Sequence, residues 1–176
     1  MAGTHKNKRN LVGFVIALVV GVVIGTLVQT QFNLLALQEL GVQIDAKARL
    51  SATIHDLGSF APVYGILFGV SFLVSQMTAA GLVRLVGPGW RSPLFALAGG
   101  AGLWVAFATV NALLPMPTLV AATRTTAGLF SMLLTAAFPG WIFARLTLAP
   151  RQSHGSRSSA AVADGVTAAS LGVDAG

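Results

Sequence analysis

Residues 11–30, LVGFVIALVVGVVIGTLVQT, form an uncharged run of twenty residues that decides the class of this protein. An α-helix rises about 1.5 Å per residue, so this run is long enough to cross a hydrocarbon core of about 30 Å. It follows the basic residues Lys6, Lys8 and Arg9. A signal peptide would have a shorter apolar run followed by a cleavage site of small residues. We therefore predict an uncleaved transmembrane helix.

The composition of the whole chain also indicates a membrane protein. Of its 176 residues, 55% are hydrophobic and 9% are charged, whereas a soluble domain carries about 25% charged residues. The net charge of +6 does not indicate nucleic-acid binding, because the basic residues lie between apolar blocks, as topology signals do. The absence of cysteine excludes disulfides, thiol catalysis and cysteine-ligated metal centres.

Three further apolar runs predict an all-α fold, a polytopic bundle of four transmembrane helices. The spans are expected at residues 11–30, 60–83, 93–114 and 126–144. A tight turn at Gly87-Pro88-Gly89 should make the second and third helices antiparallel neighbours. We expect a basic N-terminus over residues 1–10, a transmembrane domain over 11–149 and a disordered tail over 150–176.

Residues 31–59 are the one long polar connection, and we predict an amphipathic helix within them. Asp45 is a suitable N-cap for this helix, and Gly58 is a suitable residue to end it. One face of the helix would be apolar, with Leu50, Ile54 and Leu57. We expect the helix to lie on the membrane surface or to cap the bundle.

The distribution of basic residues predicts the orientation of the chain. With the N-terminus inside, eight Lys and Arg residues fall on the cytoplasmic side and three on the outer side. The positive-inside rule therefore favours four crossings with both termini in the cytoplasm. The small size and the clear charge bias lead us to expect a bacterial plasma (inner) membrane.

Small residues recur at helical spacing and predict close helix packing. Two GxxxG motifs occur, Gly21 to Gly25 and Gly65 to Gly69. Such motifs let helix backbones approach each other, either between helices of one chain or in a homodimer, and we favour packing within the chain. The predicted packing residues are Gly13, Ala17, Gly21, Gly25, Gly65, Gly69, Gly99 and Gly102.

The four predicted spans contain no Asp, Glu, Lys, Arg or His. Ion-coupled transporters and proton pumps usually place ionisable groups within the membrane, and haem needs axial ligands. We therefore expect no cofactor, no metal and no catalytic residue. A loop site is the only candidate for site chemistry, although solvation and capping explain the same residues more simply: Glu39, Asp45, His55 and Asp56.

These patterns favour a non-catalytic accessory, scaffold or assembly component that binds other membrane proteins or lipids. Its partners would be the lipid bilayer and another membrane protein or a second copy, and not nucleic acid. The alternative is a small oligomeric permease or channel, in which the mildly polar faces of the second and third helices line a path. An enzyme is a third possibility, and only His55 and the carboxylates of the loop could support it.

Overall fold

The computed structural model describes residues 2–113, 122 and 125–147, and the side chains from residue 7 onward. Within these residues the chain is all-helical and contains no strand. A 3-10 turn, Pro88–Trp90, joins the second helix to the third. The four α-helices are α1 (Ala2–Glu39), α2 (Ala46–Val86), α3 (Arg91–Leu113) and α4 (Thr126–Leu146).

All four helices are long and apolar enough to cross a membrane, as expected of a multi-pass membrane protein. They pack as a ring in chain order, with α4 closing against α1. Of the two diagonals, α2 touches α4, whereas α1 and α3 make no close backbone contact within the described residues. Consecutive helices are therefore antiparallel neighbours, and α2 and α4 pack nearest to the bundle axis.

The core of the bundle is a column of aromatic rings on α2. Phe60, Tyr64, Phe68 and Phe72 follow at a spacing of four residues, so their side chains lie on one face of the helix. Neighbouring rings stack with centroids 5.5, 5.8 and 5.1 Å apart. Phe143 of α4 meets Phe72 edge-on at 6.4 Å and joins the column to the opposite helix. The diagonal contact between α2 and α4 is thus an aromatic one.

The outer surface of the bundle is apolar, in contrast to that of a soluble protein. Ile66 is 71% exposed and Leu134 is 69% exposed, while the core contains Thr26, Thr30 and Gln76. A soluble bundle would turn such large aliphatic side chains inward. Contact with lipid chains is the environment that suits this surface.

The prediction of a separate amphipathic helix within residues 31–59 is wrong. Helix α1 continues to Glu39, and α2 begins directly after Asp45 and runs through Gly58. With 38 and 41 residues these helices are about 57 and 61 Å long, against about 32 Å for the 21 residues of α4. The predicted connection is therefore a helical hairpin that continues along the axes of α1 and α2.

Helix α2 continues through Gly58 and Pro62 because both interruptions can be tolerated there. Pro62 has no N–H, so the carbonyl group of Gly58 loses its helical donor. Gly58 is exposed, so water can reach this carbonyl group. Ser59 donates from Oγ to the carbonyl oxygen of His55 at 2.9 Å, as in a helix interior. Asp45 does cap α2, since its carboxylate accepts from the amide of Ala48 at 2.7 Å.

Side-chain hydrogen bonds attach this part of α2 to α1. The guanidinium of Arg49 donates to Gln31 Oε1 at 2.7 Å and to Gln38 Oε1 at 3.3 Å. Nearer the bundle, Thr30 Oγ1 lies 2.8 Å from Asp56 Oδ2 and 2.9 Å from the carbonyl oxygen of Thr26. Its single proton can serve only one of these acceptors at a time. These contacts favour the upright hairpin over a helix that lies on the membrane.

The first residues of α3 and α4 both lie within the described part of the chain. Helix α3 begins at Arg91 and α4 begins at Thr126, where Thr125 Oγ1 accepts from the amide of Gly128. Residue 114, the predicted end of the third span, and the predicted tail over 150–176 lie outside the described residues.

Candidate functional site

The four residues of the predicted loop site are spread along the hairpin. Glu39 is exposed at the end of α1, and Asp45 is used as the cap of α2. His55 is exposed, whereas Asp56 is half-buried and bonded to Thr30. Among the described residues, no three His, Asp or Glu side chains are grouped so that they could hold a metal ion. Asp45 caps α2, and Asp56 attaches α2 to α1. Because both aspartates have structural roles, we assign no functional site to the hairpin.

The small residues of α1 lie on its buried face. Ala17 is fully buried, and Gly13 lies beside Thr147, the C-cap residue of α4. A Cβ atom at Gly21 would overlap the ring of Phe68, and one at Gly25 would overlap the ring of Tyr64. The first GxxxG motif thus makes room for the aromatic column of α2.

The glycines of α2 and α3 meet different kinds of neighbour. Gly65 and Gly69 face the side chains of Val22 and Leu18 on α1, with 3.5 Å available for a Cβ atom. Gly99 lies against the carbonyl group of Ala136 on α4.

Two closely packed glycines were not singled out from the sequence. A Cβ atom at Gly140 would overlap the carbonyl oxygen of Phe95, and one at Gly128 would overlap that of Ala122. Neither glycine is part of a GxxxG motif. The spacing of four between the small residues Ala136, Gly140 and Ala144 could have drawn attention to this part of α4.

A groove of about 640 Å³ lies between α2 and α3. Its walls are exposed aliphatic side chains, including Val70 and Val74 of α2 and Leu97 and Val105 of α3. Since the walls are lipid-facing residues, the groove opens toward the membrane. Its floor consists of small residues: Ser71, Ser75, Ala79, Ala98, Ala101 and Gly102.

The floor is narrow because α2 and α3 approach each other closely at Gly102. A Cβ atom there would lie 2.7 Å from the Cβ atom of Ser75 and 3.1 Å from the carbonyl oxygen of Ser71. Along α2 the groove extends from Leu67 to Leu82, a length of about 22 Å. It therefore follows most of the thickness of a hydrocarbon core of about 30 Å.

The groove is apolar even though hydroxyl side chains line it. Each hydroxyl donates its proton to a carbonyl group of its own helix: Ser71 to Phe68, Ser75 to Phe72, Thr78 to Val74 and Thr109 to Val105. No hydroxyl proton is left to bind a ligand in these rotamers. The groove thus offers shape and apolar contact rather than hydrogen-bond donors.

The side-chain amides of two glutamines within the predicted spans make hydrogen bonds inside the bundle. Gln76 Nε2 donates to the carbonyl oxygen of Phe95 at 3.3 Å and joins α2 to α3. Gln29 Oε1 accepts from the amide of Ala122 at 2.9 Å and joins α1 to the segment before α4. Both side chains therefore hold helices together, which is the usual role of such groups in membranes.

Comparison of the chain with models of protein families, with curated proteins and with solved structures finds no match.

Proposed function

We propose that this multi-pass protein is a non-catalytic accessory or assembly component that binds another membrane protein in the groove between α2 and α3. The observation that carries this proposal is the long, apolar, lipid-facing groove with a floor of small residues. Lipid chains are as apolar as the groove, so the hydrophobic effect does not drive association there. Association in lipid depends on close packing, and small residues allow it.

The dimensions of the groove favour one face of a transmembrane helix as the occupant. A volume of about 640 Å³ over a length of about 22 Å corresponds to a cross-section of about 30 Å². A whole helix is about 10 Å wide and would not fit. One row of side chains can enter, as a ridge enters the groove of a neighbouring helix. The occupant would then be a helix that runs beside α2 and α3.

The alternative of a small oligomeric permease has less support. Such a path needs polar groups that are free to contact a solute, but the hydroxyl protons of Ser71, Ser75 and Thr109 are donated to their own helices. Gln29 and Gln76 each make a hydrogen bond inside the bundle, and Gln76 Oε1 is buried. The groove therefore suits an apolar partner better than a polar solute.

For the location we propose a bacterial inner membrane with both termini in the cytoplasm. The support is the charge asymmetry, which places Lys8, Arg9, Arg84, Arg91 and Arg145 at one end of the bundle. Lys47 and Arg49 lie at the other end. A reporter that is active only in the cytoplasm, fused after residue 176, should be active. Activity of a periplasmic reporter at this position would reverse the orientation.

The proposal can be tested by placing a large side chain in the groove and measuring whether the complex with the other membrane protein is lost. Ala101 is exposed on the groove floor, and Ala101→Phe would place a ring in the groove. The matched control is Ala127→Phe, since Ala127 is an exposed alanine of α4 outside the groove. Both variants would be extracted into lipid nanodiscs, and the complexes would be weighed by native mass spectrometry.

We expect the wild type to bind a different membrane protein at a fixed ratio. Overpacking of a contact typically costs about 1–3 kcal/mol, so Ala101→Phe should raise the dissociation constant of the complex about 5- to 150-fold. Ala127→Phe should leave this constant unchanged. A complex that survives Ala101→Phe would contradict the proposed groove. A wild type that forms only homo-oligomers would support the permease instead, and flux assays on liposomes would follow.

A further inference from the structure

Two arginines from different helices converge at the end of the bundle where α1 and α3 begin and α2 and α4 end. Arg9 of α1 donates from Nη2 to the carbonyl oxygen of Thr147 at 3.3 Å. Arg91, the first residue of α3, donates from Nη2 to Thr147 Oγ1 at 2.6 Å. The Thr147 hydroxyl in turn donates to the carbonyl oxygen of Phe143 at 2.6 Å. Helices α1 and α3 thus each bring one positive charge to Thr147, the C-cap residue of α4.

Most hydrogen-bonding capacity of these guanidinium groups is unused within the described residues. A guanidinium has five N–H donors, and each of the two makes one side-chain hydrogen bond, to Thr147. The Nε atoms of Arg9 and Arg91 are buried and have no partner. The ring of Phe95 lies against Arg91, with its centroid 4.8 Å from Cζ, which further limits access of water. A buried donor without a partner is energetically unfavourable.

The charge of the pair is not balanced by nearby acidic residues of the described chain. The chain has five acidic residues, of which Asp164 and Asp174 lie outside the described residues. The other three, Glu39, Asp45 and Asp56, belong to the hairpin at the opposite end of the bundle. The carbonyl end of α4 contributes only a partial negative charge of about one half. Among the described residues, the two arginines therefore have no acidic partner.

The position of the pair in the bundle indicates which anions can reach it. Trp90 is exposed in the turn before Arg91, and Trp141 is exposed on α4 beneath Arg145. Tryptophan side chains of this kind lie at the level of the lipid headgroups. Basic pockets between transmembrane helices at this level suit anionic headgroups. A guanidinium fork also matches the oxygen atoms of a phosphate.

We propose that Arg9, Arg91 and Thr147 form a binding site for a phosphate group. The phosphodiester of an anionic phospholipid headgroup and inorganic phosphate share this chemistry. In the site, the free N–H groups of both arginines donate to phosphate oxygens, and Thr147 holds the two side chains in place. The bundle thereby selects an anionic lipid, or free phosphate, at one face of the membrane. This site is separate from the groove between α2 and α3.

The test compares two variants of the full chain that lose the same charge at the same end of the bundle. Arg9→Gln with Arg91→Gln removes the proposed ligands. Lys8→Gln with Arg84→Gln removes two exposed cations that make no such contact. The proteins, in a neutral detergent, would be mixed with equal amounts of phosphatidylglycerol and phosphatidylcholine that have the same acyl chains. Native mass spectrometry would then count the retained lipids.

We expect the wild type to retain phosphatidylglycerol in preference to phosphatidylcholine. The Arg9/Arg91 variant should lose this preference about tenfold, because hydrogen bonds to charged groups are lost. The Lys8/Arg84 variant should change it less than about twofold, since exposed charges interact weakly. No preference in the wild type, or an equal loss in both variants, would overturn the proposal. In the second case the lipid would be held by diffuse surface charge.

A phosphate titration in the same detergent distinguishes the two sources of the ligand. Binding of inorganic phosphate to the wild type that is lost in the Arg9/Arg91 variant would assign the site to free phosphate. Retention of phosphatidylglycerol without binding of inorganic phosphate would assign it to lipid. If the Arg9/Arg91 variant fails to fold, thermal unfolding of the wild type with each lipid replaces the comparison. Equal midpoints with phosphatidylglycerol and phosphatidylcholine would then overturn the proposal.

Discussion

The contact between α3 and α4 and the contact between α1 and α2 both use glycine, but in different ways. Between α3 and α4, Gly99 lies against the carbonyl group of Ala136, and Gly140 lies against that of Phe95. Between α1 and α2, the glycines of the second GxxxG motif face the ends of side chains instead. A carbonyl group in a helix cannot move aside, whereas a valine or leucine side chain can adjust.

This difference shows that a GxxxG motif does not by itself mark the closest approach of two helices. The motif of α2 leaves ordinary van der Waals space above Gly65 and Gly69. The reciprocal contact of Gly99 and Gly140 joins α3 to α4 without such a motif. What a glycine contributes depends on the atom opposite it, and the neighbouring helix determines that atom. Three glycine-to-alanine substitutions test whether the loss of stability depends on the atom that lies opposite each glycine.

The largest effect is expected for Gly140→Ala. Its Cβ atom would overlap the carbonyl oxygen of Phe95 and would lie 3.2 Å from Cα of Ala96, so α3 and α4 must separate. We expect the free energy of unfolding to fall by about 2–3 kcal/mol. Reversible unfolding in mixed micelles of a denaturing and a neutral detergent would measure it.

The matched control for Gly140→Ala is Gly81→Ala. Gly81 is an exposed helical glycine of α2 with no atom within 4 Å of the added Cβ position. The Gly81→Ala variant measures how much alanine stabilises a helix relative to glycine, which is up to about 1 kcal/mol. If Gly140→Ala were as stable as Gly81→Ala, the close contact between α3 and α4 would be contradicted.

An intermediate effect is expected for Gly25→Ala. The added Cβ atom would overlap the ring of Tyr64, which is a side chain but is fully buried in the aromatic column. We expect a loss of about 1–2 kcal/mol in the free energy of unfolding. Tyr64→Leu should relieve the overlap, so the two substitutions should not be additive. A double-mutant cycle by the same unfolding assay measures this coupling. Strictly additive effects would contradict the contact between Gly25 and the ring of Tyr64.

The smallest effect is expected for Gly69→Ala. A Cβ atom there would lie 3.5 Å from Cδ1 of Leu18, an ordinary contact. The unfolding free energy should stay the same or rise by up to about 1 kcal/mol, because alanine favours the helix. Cross-linking in membranes would also show whether the motif joins two copies. Loss of a cross-linked dimer in Gly69→Ala, with unchanged unfolding, would support the homodimer and contradict packing within the chain.

The all-helical fold and the number of helices long and apolar enough to cross a membrane could be predicted from the sequence alone, but not the length of α1 and α2. An uncharged run of about twenty residues has few alternatives to a helix in lipid, because each backbone group must find its partner within the segment. Asp45 could likewise be recognised as a cap from its residue type and position. These features depend on local chemistry, which neighbouring helices change little.

The continuity of α2 and the partner of each glycine depended on the tertiary structure. Gly58 and Ser59 have the sequence of a helix boundary, yet α2 passes through them while Asp56 and Arg49 bond to α1. The groove between α2 and α3 and the convergence of Arg9 and Arg91 likewise required the arrangement of three helices. Contacts between residues far apart in the chain depend on how helices rotate and cross, and spacing within one helix does not encode this.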